Sequence, residues 1–182
     1  MRILVLSTMY PNSAFPTQCV FEHRHVQGLI AQGAEVVVIS PVAYVPPPLS
    51  WLSGKGGLLT QLPAVESWEG VTVHHPRRMG SGRLLFHYTC QYHGAFYYHA
   101  VKKLVARLWE EKPFDVINAH AAVADGPAAV RLGKDHGVPV SITLHGHSLR
   151  MDVHGPAVVR VIRDALHHAD QVVVTGPYLH EK

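Results

Sequence analysis

The sequence predicts a doubly wound parallel α/β sheet, and three observations carry that prediction. Short runs rich in Val and Ile recur along the 182 residues. Several of them are apolar at successive positions, as suits strands covered on both faces of a parallel sheet. Segments with helical patterning lie between most of them, and this alternation is the mark of the doubly wound class.

The first strand is read at residues 3–7, and a helix follows at 20–32. That helix carries apolar residues at Val26, Leu29 and Ile30 and stops at Gly33, a suitable C-cap. The second strand is residues 35–40. Residues 44–69 then break the rhythm with Pro46-Pro47-Pro48 and Gly54-Lys55-Gly56-Gly57. They show no clear helix and are expected to form a long excursion before the third strand at 71–75. A long helix is expected over 83–111, ending at Lys112-Pro113, and the fourth strand over 115–119. Asp125-Gly126 introduces a helix at 127–136, which Gly137 stops. The fifth strand is 138–144. Pro156 opens the helix 156–168 in a position suited to a first turn, and the sixth strand is 171–175. Right-handed crossovers give the Rossmann-like order 3-2-1-4-5-6 in a single domain over residues 1–182.

Composition narrows the function class. The apolar fraction is 47% and the charged fraction 16%, which describes a compact globular domain. A net charge of +3 does not make the basic stripe that nucleic-acid binding needs, so no nucleic-acid partner is expected. Cys19 and Cys90 form no CxxC pair, and a reducing, cytoplasmic setting is the simpler expectation. The apolar opening run is short and leads into Tyr10-Pro11-Asn12 without a cleavage site, so it is read as a strand and not as a leader. No uninterrupted stretch is long enough to span a bilayer.

The strand order locates the site. Ligands of such sheets bind beyond the carboxyl ends of the strands, where the winding reverses, here between strands one and four. The loop 8–20 leaves strand one, His120 ends strand four, and residues 145–148 leave strand five. Asp125 is a good N-cap, and the amides beside it and Gly126 would suit an anion or hydroxyl.

Several motifs in order resemble one family. They are Met1-Arg2-Ile3-Leu4-Val5-Leu6-Ser7, Tyr10-Pro11, Phe21-Glu22-His23-Arg24-His25-Val26-Gln27-Gly28-Leu29 and Gln32-Gly33-Ala34-Glu35-Val36-Val37-Val38-Ile39. Asp115-Val116-Ile117-Asn118-Ala119-His120, Asp125-Gly126, Thr143-Leu144-His145-Gly146 and Ala169-Asp170-Gln171-Val172-Val173-Val174 follow. Together they resemble the N-terminal domain of family 4 retaining glycosyltransferases of the GT-B type, over almost the whole chain. The resemblance implies transfer of a sugar from a nucleotide-sugar donor to an acceptor hydroxyl. It also implies an acceptor-side half whose donor-binding C-terminal domain lies outside this sequence, so that the chain alone is expected to be inactive. On that basis His145 is the expected catalytic residue, acting through a fixed dipole at the breaking glycosidic bond. Gly146, Val20 and Phe21 are expected on the donor side. His120, Asp125, Gly126, Phe15, Gln18, His25, His147 and Ser148 are expected around the acceptor. Relatives often carry a glycine pair in the first loop, where this chain has Ser13-Ala14-Phe15-Pro16-Thr17-Gln18-Cys19, and an aspartate at the position of Ser148.

No cofactor and no metal are expected, since the missing domain's basic residues and helix dipole would neutralise the diphosphate. The rival readings are weaker or harder to test. A nicotinamide-dependent dehydrogenase needs a Gly-x-Gly-x-x-Gly turn after strand one, where Thr8-Met9-Tyr10-Pro11 stands. A metal module would have to gather the 15 histidines from several loops, because neighbours on a regular element point apart. A non-catalytic subunit that binds a sugar or lipid head group and needs a separate catalytic partner is the alternative function. Basic and aromatic residues mix in the helix 83–111, Lys102, Lys103 and Arg107 beside Tyr97, Tyr98 and Trp109. This allows either peripheral contact with a membrane bearing a lipid-linked acceptor, or aromatics packed on the sheet with the basic residues solvated.

Overall fold

The computed structural model describes residues 1–44, 54–79, 89–146 and 155–176. Its elements are β1 (Arg2–Leu6), α1 (Val20–Ala31), β2 (Glu35–Ile39), β3 (Val42–Tyr44), α2 (Gly54–Gln61), β4 (Val65–Trp68), β5 (Val71–His74) and β6 (Arg77–Met79). A 3-10 turn (Cys90–Tyr92) then leads into α3 (His93–Glu111), β7 (Val116–Ala119), α4 (Asp125–His136), β8 (Val140–Leu144), α5 (Pro156–His167) and β9 (Gln171–Val174). The main sheet runs β4-β5-β2-β1-β7-β8-β9. All of its pairings are parallel except that of β4 with β5. Its six predicted strands stand in the expected order 3-2-1-4-5-6.

Side chains alternate across this sheet, and the two faces build two separate cores. Leu4 and Leu6 of β1 join Ile117 and Ala119 of β7 and Ile142 and Leu144 of β8 under α3, α4 and α5. Tyr97, Val101 and Val105 of α3 and Leu132 and Ile162 of the next two helices fill that layer. Ile3 and Val5 face the other way and pack with Val38, Val71, Val73 and Val26 of α1. Each such aliphatic side chain, fully buried, contributes about 1.5–3 kcal/mol, so the alternation in β1 alone fixes which face each helix covers. The aromatics of α3 pack inward. Tyr97 is fully buried and donates to Ile39 O at 2.9 Å, and Tyr98 donates to Asp135 at 2.6 Å. No helix among the described residues is long and apolar enough to cross a membrane.

Glycines end α1 and α4 as predicted, Gly33 at φ +84° and Gly137 at φ +66°, a region that side chains with a Cβ adopt only at a cost. Two elements depart from the sequence-based expectation. Residues 44–69 contain both a helix, α2, and a strand, β4, where an irregular excursion was predicted. The glycine-rich start of α2 is a poor helix former. Its C-terminal end is held from outside by Arg77, whose guanidinium donates to Leu59 O at 2.7 Å and Leu62 O at 2.6 Å. β4 exists because Glu69 and Gly70, both at positive φ, close a two-residue hairpin onto β5. The helix predicted over 83–111 begins at His93 within the described region, and residues 83–88 lie outside it.

Candidate functional site

β1 and β7 are neighbours, so the loops leaving their carboxyl ends meet. Ser7, fully buried, donates its hydroxyl to the Glu22 carboxylate and accepts the Met9 N–H at 3.1 Å. Thr8 gives its N–H, at 3.1 Å, and its hydroxyl to the Asp125 carboxylate. Asp125 therefore does not serve as the predicted N-cap. It is the first residue of α4, it is 1% exposed, and the helix has no side-chain cap. Its carboxyl ties α4 to the first loop instead. The Gly126 N–H is likewise spent, on Ala121 O at 2.7 Å. A Cβ at Gly126 would stand 3.2 Å from Ile142 Cδ1, so the missing side chain lets α4 seat on β8.

Burial governs the ionisation of both carboxyls. Desolvation pushes Glu22 up from 4.5 to about 8, with Asp125 nearby adding to the rise and the Ser7 bond opposing it. Desolvation likewise pushes Asp125 up from 3.8 to about 7, against the two Thr8 bonds and the positive charge of Arg78. The pair thus enters the neutral range carrying protons.

Above them sits a stack of rings. His120 ends β7 with its N–H on Leu6 O at 3.0 Å, and its Nδ1 lies 2.9 Å from His145 Nε2. The two imidazoles are parallel, 5.2 Å between centroids and 9° between planes. His25 of α1 meets His120 edge-on at 5.2 Å, and Phe21 covers His145 at 4.6 Å. Burial drives His120 down from 6.5 to about 3, with His25 and His145 contributing, and lowers His145 and His25 for the same main reason. All three rings are neutral at pH 7. One proton lies between His120 Nδ1 and His145 Nε2, and the buried His120 Nε2 has no hydrogen-bond partner. A proton on His120 Nδ1 leaves Nε2 a bare acceptor and hands His145 a fixed tautomer with its own proton on Nδ1.

One ligand atom each from Glu22, His120 and His145 falls within 4.8 Å of the others, a set able in principle to hold a cation. In the structure as it stands Glu22 bonds Ser7 and the imidazoles bond each other through His120 Nδ1 and His145 Nε2, while His120 Nε2 is unengaged.

The first loop is ordered by its own side chains. Asn12 Oδ1 accepts the N–H groups of Ala14 and Phe15 at 3.1 and 2.9 Å, and its amide donates to Tyr10 O at 3.2 Å. Tyr10 hydroxyl meets His23 Nδ1 at 2.7 Å, and His23 Nε2 meets Glu69 at 3.1 Å. Cys19, just before α1, sits at φ 39° and ψ 44°, a left-handed conformation that favours glycine. Its thiol is pushed up to about 11 by burial, which leaves it unreactive. Beside this loop opens a cavity of about 480 Å³, lined by Thr8, Asn12, Phe15, Gln18, Ala43 and Arg78 among others.

The structure thus groups His145, His120, His25 and Phe21 in one stack, with Val20 at the start of α1 and Gly146, at φ +34°, beside it. Phe15 and Gln18 line the neighbouring cavity, and Asp125 and Gly126 lie buried beneath it as supports. His147 and Ser148 fall outside the described residues. Sequence reasoning overlooked Glu22 and Arg78 as site residues. Glu22 shares a helix face with Val26 and Leu29, a spacing that could have marked it as buried. The pair Arg77-Arg78 on a short strand had only its alternation to show that the two side chains diverge.

Known proteins resemble this chain in sequence and fold. Residues 22–182 match the family model described as a glycosyl transferase 4-like domain. The chain is 27% identical over 186 residues to a putative teichuronic acid biosynthesis glycosyltransferase, TuaC, of Bacillus subtilis strain 168, and covers 100% of this chain and 46% of that protein. Among solved structures it resembles the spinosyn rhamnosyltransferase SpnG in complex with thymidine diphosphate, with a TM-score of 0.52 and 18% identity over 96% of this chain and 45% of that one. A second structure of SpnG gives a TM-score of 0.50 at 16% identity, over 94% of this chain and 44% of that one. The chain therefore spans about half the length of the relatives it matches. With the family model matched over most of its residues, this chain belongs to the glycosyl transferase 4-like family, as an N-terminal domain of a GT-B glycosyltransferase.

Proposed function

We propose that the full-length protein transfers a hexose from a nucleotide sugar to an acceptor hydroxyl with retention of configuration, and that this domain supplies the acceptor wall. The relative named for teichuronic acid biosynthesis suggests an acceptor within an acidic polysaccharide. One observation carries the reading: His145 stands at the carboxyl end of β8, neutral, with its orientation set by His120 and its outer face covered by Phe21. A neutral, oriented imidazole offers a fixed dipole at the point where charge develops on the donor sugar, in a site that burial keeps low in dielectric. The role of His120 is to hold that ring, since it is 2% exposed and too deep to meet substrate. Gly146, Val20 and Phe21 would border the donor, and Phe15 and Gln18 the acceptor. The reading assigns no metal to Glu22, His120 and His145, and the Glu22–Ser7 and His120–His145 bonds support it.

A donor screen on the full-length protein, with His145→Ala beside the wild type, tests the reading. Removing one preorganised donor of this kind is expected to lower kcat about 100-fold or more. Wild-type turnover in the variant would remove His145 from the mechanism.

A further inference from the structure

The two arginines of β6 have different fates. Arg77 and Arg78 are adjacent on a strand and point to opposite sides. Arg77 spends its guanidinium on the carbonyls of Leu59, Thr60 and Leu62 and so completes α2. Arg78 finds no such set of carbonyls among the described residues. Its contact with the described backbone is a long one, 3.4 Å from Nη1 to Met79 O, and its buried Nε has no hydrogen-bond partner. No carboxylate pairs with it among the described residues. The acid whose charge it feels is Asp125, which is already bonded to Thr8 and which burial pushes up to about 7, so that it is only partly ionised near neutral pH.

A guanidinium in that state is costly unless something fills its donors. The surroundings show where that partner would come from. Arg78 faces Ala43 across the β3–β6 pair, and this small neighbour leaves the space above the guanidinium open to the cavity. Among the described residues no acidic side chain lines that cavity, while Thr8, Asn12, Thr17 and Gln18 bring neutral polar groups and Phe15 an aromatic face. Polar side chains of both donor and acceptor type beside an aromatic suit a sugar ring, and the arginine fork suits a pair of anionic oxygens.

We propose that this cavity is a subsite for an acidic sugar, in which the Arg78 guanidinium binds a carboxylate or phosphate group while Phe15 and Gln18 border the ring. The proposal deepens the transferase reading and rests on it for the ligand's identity as the acceptor. Cavity and cation sit beside Thr8, whose other contacts lead to Asp125, so the anionic group would be held at a fixed remove from His145 by the loop between them.

Titration calorimetry on the full-length protein tests the subsite with three probes: D-glucuronate, inorganic phosphate and D-glucose. At least one anion is expected to bind saturably and about tenfold or more tighter than glucose, the scale of one charge-assisted bidentate contact. Preference for glucuronate identifies a uronic acid, and preference for phosphate a phosphorylated sugar. Arg78→Gln should erase the preference over glucose, Arg78→Lys should keep part of it, and Arg107→Gln, on an exposed ion pair of α3, should leave it intact. Equal binding of glucose and both anions by the wild type overturns the subsite, as does an unchanged preference in Arg78→Gln. Should Arg78→Gln fail to fold, the wild-type comparison and Arg78→Lys decide. The transfer assay separates the two ideas. Anion preference without sugar transfer from any donor keeps the subsite and sinks the transferase reading, whereas transfer without anion preference does the reverse.

Discussion

On one side of the crevice, burial favours the neutral forms of Glu22, Asp125, His120 and His145. On the other side, Arg78 keeps its charge because a guanidinium cannot give it up, and it does so at the edge of an open cavity. The first group satisfies itself with internal bonds, Ser7 to Glu22, Thr8 to Asp125 and His120 to His145. The second waits for a partner from outside. The contrast teaches that a neutral, self-bonded cluster provides rigid dipoles for chemistry, while an unpaired cation provides recognition.

The largest effect expected from breaking this contrast is on folding stability. Thr8→Val removes a hydroxyl from a buried carboxyl and should cost about 2 kcal/mol in denaturant unfolding. Arg78→Gln removes a half-buried charge with no carboxylate partner among the described residues, so it should cost far less than that or stabilise the protein. If the two losses were equal, the division between an internal and an external network would be wrong.

A pH series follows in size. Glu22 and Asp125 hold protons in the folded protein that the unfolded chain has lost, because their values rise from 4.5 to about 8 and from 3.8 to about 7. Their contribution is therefore greatest at low pH and declines as pH rises through those values. His120, lowered from 6.5 to about 3, acts oppositely, adding stability as pH climbs from 3 to 6.5. The terms oppose each other below 6.5, and above it only the carboxyls act. Thermal unfolding should show stability falling between pH 6.5 and 8 by on the order of 1 kcal/mol, and Glu22→Gln should flatten that decline. A rise over this interval would contradict the protonated carboxyls.

Smaller effects sharpen the picture. His120→Leu keeps the volume and removes both the unpartnered Nε2 and the bond to His145, opposing effects that should leave a shift of about 1 kcal/mol or less. The nitrogen NMR shifts of His145 should nonetheless change, since its tautomer loses the group that sets it. Unaltered His145 resonances would mean that His120 positions nothing. Cys19→Gly should stabilise the protein by about 0.5–1 kcal/mol by relieving a left-handed residue. Destabilisation in that variant would mean the Cys19 side chain packs usefully despite its backbone.

Much of the architecture was legible because it is encoded locally. β1 and β2 announce themselves through consecutive apolar residues, β8 through alternation, and α1 and α4 through the glycines that end them. α2 and β4 escaped notice because their reasons lie elsewhere in the chain. Arg77 props the end of one, and the other needs a turn in which Glu69 accepts positive φ. The site divides in the same way. Strand order alone brings His120 and His145 together. The depth of Glu22 and the idleness of Arg78 depend on packing distances that no spacing along the chain specifies.

The connection from Tyr10 through His23 to Glu69 has a consequence for binding energy. It pins the first loop to the hairpin at the far edge of the sheet, across 46 residues of chain between His23 and Glu69. A loop tethered in this way has already surrendered its freedom when the protein folds. A ligand arriving at the cavity meets walls that need no further ordering, and the free energy of its contacts goes into affinity undiminished by that entropy.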